Sequence, residues 1–265
     1  MSEQEDVITA LREAGVLAGV RWAYLSASAR TLEEYSEEDG HDATWLGTTR
    51  FTLFRNRLDR VFACDRYAVS SENDDAGLDT LLAQLSTVDV DTMPRLAPDL
   101  VERSDLNGSP GWASAGVRLL LASCPFGKVD EVHWSEKSPT KQRVASQPNP
   151  DAAQGSLFEG LVDEEVAGIE AMFKQAKQLD LLTFVLAHTL DPVSQNRELI
   201  LGRPRLNSAG EDGWHWQHDV LSTPPADGGR RTDVGPRPTG PSPVPDAPVR
   251  IRRRNDETGH ASAEQ

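Results

Sequence analysis

Cysteine is scarce in this sequence, and its scarcity excludes proteins that are stabilised by a disulfide framework or by a zinc ion bound to cysteines alone. The 265 residues contain only two cysteines, Cys64 and Cys124, and each lies in an apolar segment. Two cysteines are too few for a disulfide framework or for a cysteine-only zinc site. We therefore expect both to be buried free thiols.

Long apolar runs are also missing. No stretch approaches the roughly 18 consecutive apolar residues that a membrane-spanning helix requires. The first residues, Ser2 to Asp6, are acidic, whereas a secretory signal is basic and then apolar. The sequence therefore predicts a cytoplasmic protein that does not associate with a membrane.

Positive charge is in short supply, because the formal net charge is −15. Residues 223–265 contain seven arginines and six carboxylates, which leaves 20 basic and 36 acidic residues in positions 1–222. Such an acidic body disfavours nonspecific contact with nucleic acid. A nucleic-acid partner would have to bind where positive charge is locally concentrated.

The composition changes near position 223. Residues 223–265 contain eight prolines, several glycines and no periodic apolar pattern, so they cannot bury enough surface to offset the entropy of ordering. The sequence predicts a body, residues 1–222, and a disordered tail, residues 223–265. A basic cluster near the end of the tail is a candidate interaction segment and consists of Arg250, Arg252, Arg253 and Arg254.

The body combines helical and strand-like patterns. Apolar spacing predicts helices over residues 7–15, 76–86 and 162–179. Alternating or continuous apolar runs predict strands over residues 20–25, 117–124, 129–134, 181–189, 197–203 and 214–221. Short polar turns favour antiparallel pairing, so the predicted fold class is α+β with a mainly antiparallel sheet and a few packing helices. The polar, proline-rich stretch 138–156 is interpreted as a long loop or as a linker between two subdomains.

Residues 44–69 fit two different structures. Phe51, Phe54, Leu58 and Val61 have helical spacing, whereas the threonines and aromatic residues of the same segment are typical of two strands joined near Asn56. We favour the strand hairpin at this stage and keep the helix as the alternative.

Catalytic motifs are incomplete. Gly127 and Lys128 would end a phosphate-binding loop, but Ala122 stands where that loop needs its first glycine. Ser114 lacks the first glycine of a nucleophile elbow, because Trp112 occupies that position. Asp89 and Asp91 would share one side of a strand, yet no base or nucleophile accompanies them. No catalytic residue and no cofactor are therefore assigned.

One short segment contains several residue types that bind metals. On the predicted last strand, His215 and Asp219 share one side, while His218 points to the other. The structural interpretation is a sheet strand whose neighbouring tryptophans pack on the body. The functional interpretation is a metal-dependent enzyme.

A basic and aromatic patch stands out from the acidic body. Arginine forks beside aromatic rings are typical of sites that bind RNA or single-stranded DNA. The alternative is that these arginines form ion pairs with the acidic residues 33–42 while the rings join the core. The patch consists of Arg50, Arg55, Arg57, Arg60 and Arg66 with Phe51 and Phe54.

The leading functional hypothesis is a noncatalytic cytoplasmic binding or accessory subunit that acts through contacts with another protein or complex. It is based on the lack of a complete catalytic motif. The first alternative is a nucleic-acid-associated protein that uses the Arg50 to Arg66 patch, and the second is the metal-dependent enzyme.

Overall fold

A central sheet organises the part of the chain that the computed structural model describes, residues 2–68, 74–97, 99–148, 179–208 and 211–222. Neighbouring strands in the sequence are also neighbours in this sheet. All pairs are antiparallel except the third and fourth strands, which run parallel with Val117 opposite Leu182. The strands are β1 (Glu102–Arg103), β2 (Gly111–Ser114), β3 (Val117–Ser123), β4 (Leu182–Leu190), β5 (Arg197–Pro204) and β6 (Trp214–Asp219).

The two faces of the sheet bury different cores. Successive side chains of a strand point to opposite faces. In β4, Phe184 and Leu186 pack in one cluster with residues of the 7–62 segment, while Val185 and Ala187 pack in a second cluster with residues of the 129–145 segment. Both faces of β4 are covered, which explains why its sequence is a nearly continuous apolar run.

The first three helices cover one face of the sheet, and the short helix Pro139–Ala145 lies on the other. Ser2 and Glu5 form a capping box that begins the first helix, and Gly15, with φ +77°, separates this helix from the second. The helices are α1 (Glu3–Glu13), α2 (Val16–Glu34), α3 (Ala43–Val61), α4 (Asp74–Leu82), α5 (Thr87–Thr92) and α6 (Pro139–Ala145). The predicted α+β class, with a mainly antiparallel sheet and packing helices, is confirmed.

The predicted strand over residues 20–25 is wrong, because these residues lie inside α2. Eleven of the 19 residues of α2 are buried, since the helix packs against α1, α3 and the sheet side of the core. A helix that is buried on several sides lacks a single apolar stripe. Val20, Trp22 and Tyr24 therefore resembled one face of a strand.

The favoured hairpin within residues 44–69 is also wrong, and the helical alternative is correct. Asp42 caps the helix by accepting a hydrogen bond of 2.8 Å from the backbone N–H of Trp45. Phe54, Leu58 and Val61 then bury one face of α3 in the core. Tertiary packing overrides the strand propensity of the local threonines and aromatic residues.

The strand predicted over residues 129–134 is wrong, and the strand geometry considered for Asp89 and Asp91 does not apply. Residues 129–134 form turns that lead into a short 3₁₀ helix, Trp134–Glu136, and β3 instead pairs with β2 and β4. Asp89 and Asp91 lie in helix α5, where residues two apart do not share a face.

Some predictions fall outside the described residues. The helix over residues 162–179 is almost entirely outside them, and the tail, residues 223–265, is entirely outside them. Part of the stretch 138–156 forms α6, and the strands on either side of that stretch, β3 and β4, pair directly. Among the described helices, none has the length and apolar character that crossing a membrane would require.

Candidate functional site

A groove of about 1070 Å³ opens between α2, α3 and the segment that runs from α4 to α5. The indole Nε1 of Trp22 in α2 donates a hydrogen bond of 3.1 Å to the carbonyl of Asp89, which holds α5 beside α2. We call this feature the arginine groove. The residues that give it its chemistry are Arg57, Arg60 and Arg66, with Asn56, Tyr67, Leu53, Leu85 and Val88 beside them.

Arg57 and Arg60 lie three residues apart on α3 and therefore project from the same side of the helix. Each is only 5% exposed. Both donate to Oδ1 of Asn56, Arg57 from Nη1 at 3.0 Å and Arg60 from Nε at 2.9 Å. One carboxamide oxygen thus holds the two guanidinium groups side by side.

Further hydrogen bonds fix each guanidinium. Arg57 donates from Nε to Oγ of Ser26 in α2 at 2.9 Å. Arg60 donates from Nη1 to the carbonyl oxygens of Thr80 and Leu81 at the end of α4. These partners are neutral, so they orient the two arginines without compensating their charge.

Neither guanidinium forms an ion pair with a carboxylate of the described residues. Burial is the main cause that lowers the pKa of both arginines. The charge of Arg60 lowers the pKa of Arg57 further, whereas Asp89 opposes this shift. Arginine remains protonated in proteins, so two positive charges are buried next to each other. An anion in the groove would offset this cost.

Tyr67 connects the third arginine to this pair. Its hydroxyl accepts a hydrogen bond of 2.7 Å from Nδ2 of Asn56. The Cζ atoms of Arg60 and Arg66 lie 4.4 Å and 4.8 Å from the centre of the Tyr67 ring. The ring itself is only 5% exposed, so it supports the arginines and does not offer a free aromatic face.

The acidic residues of the groove offset part of its positive charge. Glu33 and Glu34 form ion pairs with Arg30 at 3.2 Å and 2.6 Å. Asp89 accepts a hydrogen bond of 2.9 Å from the hydroxyl of Ser86. Four arginines and three carboxylates line the groove, so a ligand meets a small net positive charge that is concentrated at Arg57, Arg60 and Arg66.

The structure divides the predicted basic patch into two groups. Arg57, Arg60 and Arg66 line the groove, whereas Arg55 is exposed on α3 outside it. Arg50 is 4% exposed and Phe54 is fully buried, so neither side chain is open to a nucleic acid. Phe51 is half-buried against the core.

Sequence reasoning missed Ser26, Arg30 and Asn56. Ser26 and Arg30 lie in α2, for which a strand was predicted, so their approach to the patch had no local signal. Asn56 lies inside the patch, between two arginines. Its position was visible in the sequence, but its role required the helical structure of α3. The predicted pairing with residues 33–42 involves Arg30 rather than the patch arginines.

The predicted metal ligands lie on β6. Burial lowers the pKa of both His215 and His218. Asp219 accepts a hydrogen bond of 2.8 Å from the backbone N–H of Leu221 just after the strand. The described part of the chain contains no group of three or more histidine, cysteine or acidic residues that could hold a metal ion.

A serine and a histidine approach each other at the end of the sheet, but they do not form a nucleophile and its base. His188 Nε2 lies 3.4 Å from Oγ of Ser123, while His188 Nδ1 accepts a hydrogen bond of 3.1 Å from Nε of Arg50. Burial and the charge of Arg50 keep the pKa of His188 well below 6.5, so the ring is neutral. Its single proton is then on Nε2, which cannot accept the proton of Ser123.

Comparison with known proteins identifies no relative of this chain. No protein family, no curated protein and no solved structure matches the chain. The arginine groove is therefore the feature from which a function can be argued.

Proposed function

We propose that this chain is a noncatalytic accessory protein that binds an anionic group of its partner in the arginine groove. The observation that carries this proposal is the pair Arg57 and Arg60. Both are buried, both line the same groove, and neither has a carboxylate partner among the described residues. The chain contains 42 acidic residues, so an internal counter-charge was readily available in its composition.

The contacts of the pair favour binding. Ser26 and Asn56 hold the guanidinium groups in place before a ligand arrives. A binding site that is already ordered loses less conformational entropy when its ligand binds. Charged hydrogen bonds to an anion are also stronger than those between neutral groups.

Inorganic phosphate is a suitable first probe, used at constant ionic strength against chloride. An anion that binds only the folded state at ten times its Kd stabilises that state by about 1.4 kcal/mol. For a body of this size, such a gain corresponds to a rise of roughly 3–5 °C in the thermal midpoint. We expect this rise in the full-length protein.

Arg57→Gln and Arg60→Gln should each abolish the phosphate-dependent rise, since each removes one charged donor from the groove. Arg55→Gln is the matched control, because it removes an exposed arginine of the same helix outside the groove. The comparison uses the shift caused by phosphate, so a change in the midpoint of the unliganded variant does not affect it. The absence of a shift in the unmodified protein, or an equal shift in all variants, would overturn the proposal.

A further inference from the structure

The donors left free in the groove indicate what kind of anion fits it. Described hydrogen bonds use Nε and Nη1 of Arg57 and of Arg60, and none uses Nη2 of either residue. Two guanidinium groups with fixed positions therefore each retain a donor. Arg66 adds a third positive charge across the Tyr67 ring.

A phosphate monoester matches this arrangement better than a carboxylate does. It carries nearly two negative charges at neutral pH and has three acceptor oxygens. A carboxylate has one charge and two oxygens, so it leaves one of the two buried guanidinium charges without compensation. Clusters of arginine are a recurring means of recognising phosphorylated side chains.

An apolar surface lies beside the arginines. The structure exposes three large apolar side chains among the described residues, and of these Val88 lines the groove with 71% of its surface exposed. Leu53 and Leu85 line the same groove and pack against the core below it. An aliphatic side chain next to the phosphate would cover Val88 and gain burial.

A nucleic acid fits the groove less well. Single-stranded nucleic acids bind through bases that stack on exposed aromatic rings as well as through their phosphates. Tyr67 is buried under two arginines, and Phe54 is in the core. The acidic body also repels a polyanion, whereas one phosphate on a peptide needs only local positive charge.

Building on the proposed function, we infer that the groove binds a phosphorylated side chain of a partner protein, with an aliphatic residue of the same segment placed on Val88. Arg57 and Arg60 hold the phosphate. Leu53, Leu85 and Val88 select the neighbouring side chain.

Fluorescence anisotropy with the full-length protein can test this inference. The probes are a peptide pool with a fixed phosphothreonine and leucine at its flanking positions, the same pool without phosphate, and a phosphorylated pool with alanine at the flanking positions. We expect the phosphorylated leucine pool to bind at least tenfold more tightly than the unphosphorylated pool. Arg57→Gln and Arg60→Gln should each remove most of this difference, and Arg55→Gln should leave it unchanged.

Val88→Asp tests the apolar contact separately. This variant should bind the leucine and alanine pools equally, because its surface no longer favours an aliphatic neighbour. Val88 is an exposed residue, so the substitution does not disturb the core. A preference for leucine that persists in Val88→Asp would overturn the assignment of the neighbouring side chain to this surface.

The remaining outcomes separate this inference from the broader proposal. If inorganic phosphate stabilises the protein but the phosphorylated pool binds no better than the unphosphorylated pool, the inference is wrong and the anion site stands. If an oligothymidylate of twelve nucleotides binds more tightly than the phosphorylated pool, and Arg60→Gln abolishes that binding, the occupant is a nucleic acid and the inference is wrong. If neither phosphate nor any peptide binds, both proposals are wrong.

Discussion

Glu3 accepts two hydrogen bonds from Nη1 of Arg203, each 2.7 Å long, and so ties the first turn of α1 to β5. The two residues are 200 positions apart, and their side chains are only 7% and 1% exposed. Trp216 of the neighbouring strand donates from Nε1 to the same carboxylate at 3.2 Å. This buried ion pair positions α1 against the sheet.

Glu3→Gln should therefore destabilise the protein strongly. The substitution removes the negative charge and leaves the guanidinium of Arg203 buried without compensation, which costs about 3 kcal/mol. Urea denaturation measures the free energy of unfolding. Glu13→Gln is the control, because Glu13 is an exposed residue of the same helix and forms no ion pair with the described residues. Equal stability of the two variants would contradict the role given to Glu3.

Because His188 is neutral in the folded protein, we expect the free energy of unfolding to decrease in mild acid. Burial and the charges of Arg50 and Lys141 hold its pKa well below 6.5 in the folded state. Below about pH 6.5 the unfolded chain binds a proton at this histidine that the folded chain does not bind. Stability therefore falls as the pH decreases, with a slope of up to about 1.4 kcal/mol per pH unit for this one group.

His188→Gln should reduce this slope while keeping an acceptor for Arg50. Urea denaturation at pH 7.5, 6.0 and 5.0 provides the comparison. Burial also lowers the pKa of His215 and His218, so the variant should retain part of the pH dependence. A slope identical to that of the unmodified protein would show that His188 is protonated in the folded state.

The sequence predicted four strands of the sheet, but it also predicted strands where the long helices α2 and α3 lie. β3, β4, β5 and β6 lie close to their predicted ranges, because central strands produce apolar runs that flanking turns delimit. In α3, by contrast, Arg50, Arg57 and Arg60 are buried among apolar residues. The apolar stripe of α3 is visible in the sequence, but no local pattern indicates that these arginines are buried as well.

The candidate site was predicted in part. The sequence placed five arginines in one patch, and the structure shows Arg57, Arg60 and Arg66 lining the groove, Arg50 in the interior and Arg55 on the outer surface. A strand hairpin would have alternated these residues between two faces, whereas a helix places Arg57 and Arg60 on one face. The walls of the groove come from α2 and from the segment between α4 and α5, and no local pattern predicted these contacts.

Both cysteines should resist thiol reagents in the folded protein. Burial raises the pKa of Cys64 to about 12 and that of Cys124 to about 11. At pH 8, both side chains are therefore almost entirely protonated, whereas the thiolate is the reactive form. Both should react rapidly with Ellman's reagent only after denaturation.

The variants Cys64→Ser and Cys124→Ser show how fast each thiol reacts on its own. In each variant one cysteine remains, and its reaction should be slow in native buffer and complete within minutes in guanidinium chloride. Both cysteines are 7% exposed, so limited access acts in the same direction as the raised pKa. A rapid reaction of either thiol in native buffer would contradict the prediction.

Gly202 of β5 is a position where an added methyl group should be costly to the sheet. A Cβ atom there would lie 2.5 Å from Cε3 and 2.7 Å from Cζ3 of Trp214, and 2.8 Å from the carbonyl oxygen of Trp216. The Trp214 ring cannot easily move aside, because its Nε1 donates to the carbonyl of Val129 at 2.8 Å and its ring packs edge-on against Trp134. Gly202→Ala should therefore lower the free energy of unfolding by about 1–3 kcal/mol.

Gly47→Ala adds the same methyl group but should raise the free energy of unfolding. Gly47 lies inside α3, and a Cβ atom there has no neighbour within 4 Å. Since alanine is favoured over glycine in a helix interior, this variant should gain up to about 1 kcal/mol. Urea denaturation of the two variants beside the unmodified protein gives both values. If Gly202→Ala were as stable as Gly47→Ala, the close contact between β5 and the Trp214 ring would not exist in solution.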